Sequence, residues 1–278
     1  MKAFFVSDLH GKTDRYNKLF NKIENENPSL VFLGGDLLPH SYLNANFIED
    51  FLVKNFSNLK SKLDEKYPRI FLILGNDDAK SEEEEIIYYS EKRYWEYINM
   101  RTAAVNGFNV HGYCYTPPSP FLLKDWEKYD VSRYVDPGCI SPEEGKRTVD
   151  ISDEQKKYST IKRDLENQFN KLNVTNDIIL FHGPPYKTKL DRAALDGKYI
   201  DHIPLDVHVG SVAIRKFIEL KQPKLTLHGH IHESARLSGS WYDQIGNTLC
   251  FSAAHDGKEL ALIEFDTENL STAKRILL

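Results

Sequence analysis

Cysteine is scarce in this chain. Cys114, Cys139 and Cys250 are three among 278 residues, odd in number and far apart. No C-x-x-C pair occurs. A thiolate zinc site and a disulfide framework are therefore excluded, and a reducing compartment suits the thiols. Basic residues are outnumbered as well. Lys plus Arg is 36 against 41 Asp plus Glu, a formal net charge of −5. A broad basic face is absent, so long nucleic acid is not an expected partner. No apolar run approaches the roughly 18 residues of a membrane span, and no membrane association is expected. The first apolar run, 3–6, is too short for the apolar core of a secretion signal. The expected location is therefore cytoplasmic. Glycine (15) and proline (12) are slightly under-used and no repeat is visible, which excludes collagen-like and low-complexity chains. Assembly with further copies of the chain stays open.

What the chain does have is a series of short apolar runs rich in Phe, Val, Ile and Leu. They lie at 3–6, 30–33, 69–74, 109–111, 178–181, 224–227, 248–251 and 260–265. Each is of strand length, and several are apolar throughout, as strands covered on both faces are. Helical spacing falls between them. Tyr16, Leu19, Phe20 and Ile23 follow i, i+3, i+4, i+7 within 13–26. Further helices are predicted over 46–65, 82–98 (with Ser81 and Glu84 as a capping box), 152–172 and 211–220. This alternation predicts an α/β protein, with one domain over 1–278. Two irregular excursions interrupt the pattern, at 113–151 and 187–209. Long segments of this kind serve either as functional loops or as plain surface excursions.

The ends of the apolar runs carry the chemistry. Asp8-Leu9-His10 follows the first run, Gly34-Gly35-Asp36 the second and Gly75-Asn76-Asp77-Asp78 the third. His182-Gly183 follows the run at 178–181, and His228-Gly229-His230-Ile231-His232 the run at 224–227. Ligands bind at the carboxyl ends of strands in α/β sheets. Taken singly, each motif is an ordinary turn or a structural histidine. Taken together they supply carboxylates and imidazoles, a donor set for Mn, Fe, Zn, Ni or Co rather than for Ca or Mg. Two such cations sharing one carboxylate clamp a phosphoryl group and make hydroxide available near neutral pH.

This ordered set resembles the calcineurin-like metallophosphoesterase superfamily. The resemblance implies two mixed β-sheets packed as a sandwich and flanked by helices, with a dinuclear metal site at one edge. It implies Asp8, His10, Asp36 and His230 around one divalent ion. Asp36, Asn76, His182 and His228 would surround the other, with Asp36 bridging. The implied activity is hydrolysis of a small phosphate-ester substrate. A cyclic-nucleotide phosphodiesterase or nuclease of the same fold is an alternative, with Tyr113, Tyr115, Phe121 or Trp126 as base-stacking surfaces. A non-catalytic metal-binding scaffold is another.

The sequence departs from the family at Asp77, where the usual motif has histidine. This resembles the phosphodiesterase-leaning branch, which carries Cys, Met or Asp there. A carboxylate would repel a dianionic monoester more than a singly charged diester. A protonated Asp77 would instead donate a proton to the leaving group, and a third reading makes it only a helix cap. The stretch His208-Val209-Gly210-Ser211 resembles an Icc-related subgroup of predicted phosphoesterases. His208 is a candidate proton donor, and the helix start at Gly210-Ser211 a candidate phosphate contact. Arg192, His202, His40, His111 and His232 are expected at the surface or in structural roles.

Overall fold

A computed structural model describes residues 1–40 and 46–278. The first unit of the chain runs β1 (Lys2–Val6), α1 (Thr13–Glu26), β2 (Leu30–Gly34), α2 (Lys54–Leu63), β3 (Arg69–Ile73), α3 (Glu83–Glu91) and β4 (Glu96–Tyr97). Then follow β5 (Thr102–Val105), β6 (Phe108–Tyr113), α4 (Asp153–Tyr158), α5 (Ile161–Phe169), β7 (Ile178–Phe181) and a short hairpin of β8 (Tyr199–Ile200) with β9 (Ile203–Pro204). The chain closes with α6 (Val212–Lys221), β10 (Leu225–His228), α7 (Ser234–Ser238), β11 (Tyr242–Ile245), β12 (Thr248–Ser252), β13 (Ala261–Asp266) and β14 (Lys274–Leu277).

The strands form two six-stranded mixed sheets, in the orders β14-β13-β1-β2-β3-β4 and β11-β12-β10-β7-β6-β5. β1, β2 and β3 run parallel, as do β6, β7, β10 and β12. Parallel strands buried on both faces need apolar side chains on both, and β2, β7 and β10 are buried at every position. One apolar cluster spans both sheets. Phe251 of β12 meets Phe265 of β13 edge to face at 6.0 Å. Outside the sheets, α1 and α2 meet through Phe20 and Phe56 at 5.0 Å. α5 and α6 meet through Phe169 and Phe217 at 4.7 Å, and Phe217 reaches Phe181 of β7.

All the apolar runs read from the sequence are strands. The helices at 13–26 and 212–221 match their spacing, and the other three are shorter or broken. The segment 46–65 opens with a wide π turn, Ile48–Val53, before α2. The helix over 82–98 stops at Glu91, because 96–97 pair with β3, and Ser81 makes no cap. The segment 152–172 breaks at Ser159-Thr160. Ser152 and Gln155 form a capping box on α4, and Thr160 caps α5 by accepting from Arg163 N–H. No helix among the described residues is long and apolar enough to cross a membrane.

Candidate metal centre

The parallel strands bring their carboxyl ends to one edge where the two sheets meet. Asp8 follows β1, Asp36 follows β2, Asn76 and Asp77 follow β3, His182 follows β7, and His230 follows β10. The loops after β1 and β2 run side by side. Asp8 N–H donates to Gly35 O (3.0 Å), His10 N–H to Asp36 O (2.8 Å) and Gly11 N–H to Leu37 O (2.9 Å). Asp78, fully buried, ties the third loop in by accepting from Leu37 N–H, Leu38 N–H and Gly75 N–H at 2.7–2.9 Å. Buried Arg15 donates to Asp8 O and Gly257 O, both at 2.7 Å. Neither Asp78 nor Arg15 stood out in the sequence as part of the site.

The backbone here is strained. Asp8, His10, Asp36 and His230 have φ of 56°, 47°, 52° and 75°, a region that non-glycine residues seldom occupy. Such strain costs about 1–3 kcal/mol per residue and gathers at functional sites. The adjacent glycines leave room. A Cβ on Gly75 would lie 2.3 Å from Asp36 Oδ1, and one on Gly35 would lie 2.5 Å from His182 Nδ1.

Two of three donor groups among the described residues share one carboxylate, the third being His10, His40 and Asp77. Asp8, His10, Asp36 and His232 make the first, and Asp36, His182 and His230 the second, with donor atoms within 4.8 Å of one another in each. Asp36 Oδ1 accepts from Asp77 N–H at 2.8 Å. Its Oδ2 faces His182 Nε2 at 3.3 Å and His10 Nε2 at 4.0 Å. His182 Nε2 also lies 2.9 Å from Asn76 Oδ1, which adds an amide oxygen to the second group. His10 and His232 approach Nε2 to Nε2 at 3.1 Å, and His232 Nε2 lies 3.3 Å from Asp8 Oδ1. Ser7 Oγ donates to Asp8 Oδ2, and His230 N–H to Asp8 Oδ1.

Electrostatics match a cation site. Burial opposes ionisation of Asp8 and Asp36. The surrounding imidazoles outweigh it and hold both carboxyls below their ordinary range. Burial also opposes a charge on His182, but Asp36 and Asp8 raise it to about 10, so a cation bound there would displace a proton from this ring. Burial drives His230 down to about 3, leaving its imidazole neutral and able to act as a ligand. The donors are oxygens and nitrogens without a thiolate, which fits Mn, Fe, Zn, Ni or Co.

The structure does not bring His228 to this cluster. As the last residue of β10 it still follows the strand's alternation, and its side chain enters the interior. Nδ1 lies 3.0 Å from Gly183 O and Nε2 lies 2.7 Å from Thr226 Oγ1. The ring stacks on Phe181 at an interplanar angle of 4°. Burial lowers it to about 4. Both nitrogens are engaged, so the ligand role implied for His228 is corrected. His232, expected at the sheet edge, stands in the cluster instead, and His230 belongs with His182 rather than with Asp8. The signal was present: His-Gly-His-Ile-His contains two His-x-His pairs, and only the second lies beyond the strand end.

Other expectations resolve as follows. Asp77 does not cap the next helical turn, which begins from Ala79. Its Oδ2 lies 3.6 Å from His10 Nδ1, and Asn76 Nδ2 donates to its Oδ1 at 3.3 Å. His40 lies within reach of both His10 and Asp77. His208 lines the same cavity as Asp36, Asn76 and His230, and its Nδ1 lies 2.8 Å from the buried carboxylate of Asp191. The start of α6 is closed to phosphate, because the Asp130 carboxylate accepts from Ser211 Oγ, Val212 N–H and Ala213 N–H. Tyr113, Tyr115 and Trp126 are core residues, while Phe121 faces the cavity. Arg192 pairs with Asp196, and His202 sits exposed at the turn between β8 and β9. His111 is structural, bound between Thr102 and Asp177.

The family model described as calcineurin-like phosphoesterase matches residues 1–234. The chain belongs to the calcineurin-like phosphoesterase family. Over 91 residues it is 38% identical to the uncharacterised protein MJ1162 of Methanocaldococcus jannaschii, a match covering 30% of this chain and 36% of that relative. The match thus spans well under two thirds of the relative's length. Among solved structures, TT1561 of Thermus thermophilus superposes with a TM-score of 0.57 at 14% identity, over 99% of this chain and 98% of that one. A dimetal phosphatase from Danio rerio superposes with a TM-score of 0.50 at 11% identity, over 95% and 92%. These likenesses share the fold of the phosphoesterase family.

The different placements of the two histidines have a direct test. His232→Ala is expected to lower bound metal per chain, measured by inductively coupled plasma mass spectrometry after metal-replete growth. His228→Gln is expected to retain the metal and to lower the thermal midpoint, because a buried hydrogen-bonded ring is lost. Equal metal loss in both variants would contradict this placement.

Proposed function

We propose that this chain is a phosphoesterase working with two divalent cations, and that it prefers phosphodiesters to monoesters. The observation that carries the reading is the Asp36 carboxylate, common to both donor groups. Asp8, His10, Asp36 and His232 would hold one cation, and Asp36, Asn76, His182 and His230 the other. Bound there, the cations supply Lewis acidity toward phosphoryl oxygens and a nucleophile at neutral pH.

The chain's own residues do the rest. Asp77 places a carboxylate on the cavity wall beside His10. Like charges within a few ångströms repel, and a dianionic monoester meets more repulsion than a singly charged diester. His208 is oriented by Asp191 as catalytic imidazoles are by a buried carboxylate, with Nε2 left to serve the leaving group. It would donate a proton to the departing oxygen. The cavity is continuous with the donor cluster, which sets the substrate's organic part against the two excursions.

Three outcomes are expected. Purified protein loaded with Mn²⁺ hydrolyses bis(p-nitrophenyl) phosphate, and both EDTA treatment and Asp36→Asn lower kcat/KM by at least a hundredfold. Turnover surviving chelation would remove the proposal. Asp77→His shifts the ratio of p-nitrophenyl phosphate to diester turnover toward the monoester by severalfold, and an unchanged ratio would dismiss the account of Asp77. His208→Asn lowers kcat by about 10²-fold or more for an alkyl leaving group and much less for p-nitrophenolate, which needs no proton. An equal loss for both leaving groups would make His208 a structural residue only.

A further inference from the structure

The cavity beside the donor cluster encloses about 520 Å³, well within the range of small-ligand sites. Its walls come from the two excursions. Pro118, Phe121 and Pro137 face it from one, and Leu195, Ile200 and Leu205 from the other. The two walls touch where Ile200 packs on Gly138: a Cβ there would lie 2.3 Å from Ile200 Cδ1. On the same two excursions Leu122, Tyr199 and Ile203 are more than half exposed.

Charge along these walls has one sign. Away from the donor cluster the charged lining residues are Asp136, Asp206 and Glu233, and no Lys or Arg lines the cavity among the described residues. Asp136 is exposed, and desolvation of its carboxyl together with nearby Asp206 pushes it up. Apart from His208, a second phosphate would find only carboxylates among the charged wall residues. An alkyl or aryl group would find proline rings and aliphatic side chains, and burying it removes apolar surface from water.

We infer that the cavity selects phosphodiesters whose second substituent is an uncharged apolar group of several carbons, and that it rejects substituents carrying another anion. This rests on the phosphodiesterase reading above. In the reaction, water adds to phosphorus, the bond to the leaving oxygen breaks, and the apolar alcohol stays esterified as a phosphate monoester. One proton passes to the leaving alcohol or to solvent.

The test uses Mn²⁺-loaded full-length protein and p-nitrophenyl diesters whose second substituent is methyl, butyl, phenyl or 2-carboxyethyl. Each methylene the wall covers is worth about fourfold. kcat/KM is therefore expected to rise at least tenfold from methyl to butyl and phenyl, mainly through KM. The 2-carboxyethyl ester, of similar length to butyl, is expected to fall to the methyl value or below. Ile200→Ser and Leu205→Ser lower the butyl-to-methyl ratio. Binding gives a readout independent of turnover: by isothermal titration, dibutyl phosphate binds at least tenfold more tightly than dimethyl phosphate. Hydrolysis of all esters with equal kcat/KM, or equal affinity for the two dialkyl phosphates, would overturn the inference and leave the phosphodiesterase reading standing. Tight dibutyl phosphate binding without hydrolysis of any ester would support the apolar selection and refute the phosphodiesterase reading.

Discussion

Two buried carboxylates, those of Asp8 and Asp36, set the terms for the rest of this molecule. A carboxylate out of water is costly unless positive charge and hydrogen-bond donors surround it. Here the donors are backbone N–H groups of Asp77 and His230, and the positive partners are imidazoles from both sheets. Those partners can converge only because strands of the two sheets end at the same edge. The need to keep two anions charged in the interior thus dictates where His10, His182 and His232 must sit. It also dictates that the turns bearing them adopt positive φ.

Strain of that kind persists only where neighbouring structure over-determines it. The hydrogen bonds between the loops after β1 and β2, the three N–H groups gathered by Asp78 and the grip of Arg15 on Asp8 O supply that determination. None of these groups would touch a substrate. They convert a set of glycine-flanked turns into a rigid floor, and rigidity is what a site with shared ligands requires.

The fold was readable because a buried parallel strand has little freedom in composition. β2 and β7 had to be apolar throughout, β1 and β10 largely so, and they were found. Strands at or near an edge escape such a reading. β11 and β14 are mostly half-buried or exposed, and β4 and β9 are two residues long. Helix lengths were overestimated where apolar spacing ran on past a break, as at Ser159-Thr160, whose backbone turns to cap a new helix. Within the candidate site, the gathering of Asp8, His10, Asp36, Asn76 and His182 could be read because each follows an unambiguous strand end. The His-Gly-His-Ile-His segment was not. A one-residue change in where β10 ends decides whether its first histidine faces the core or the cluster. The left-handed backbone at His230 that reverses the pattern leaves no trace in residue type.

The floor and the walls of this site come from different parts of the chain. Strand ends make the floor, while the walls are inserted between β6 and α4 and between β7 and α6, where the sheets place few demands on length or composition. Such an arrangement separates reactivity from selectivity in evolutionary time. Insertions can be exchanged, lengthened or recoloured chemically while the anions beneath stay fixed. A lineage built this way can acquire new substrates at the rate at which loops drift, not at the much slower rate at which a strained, over-determined floor tolerates change.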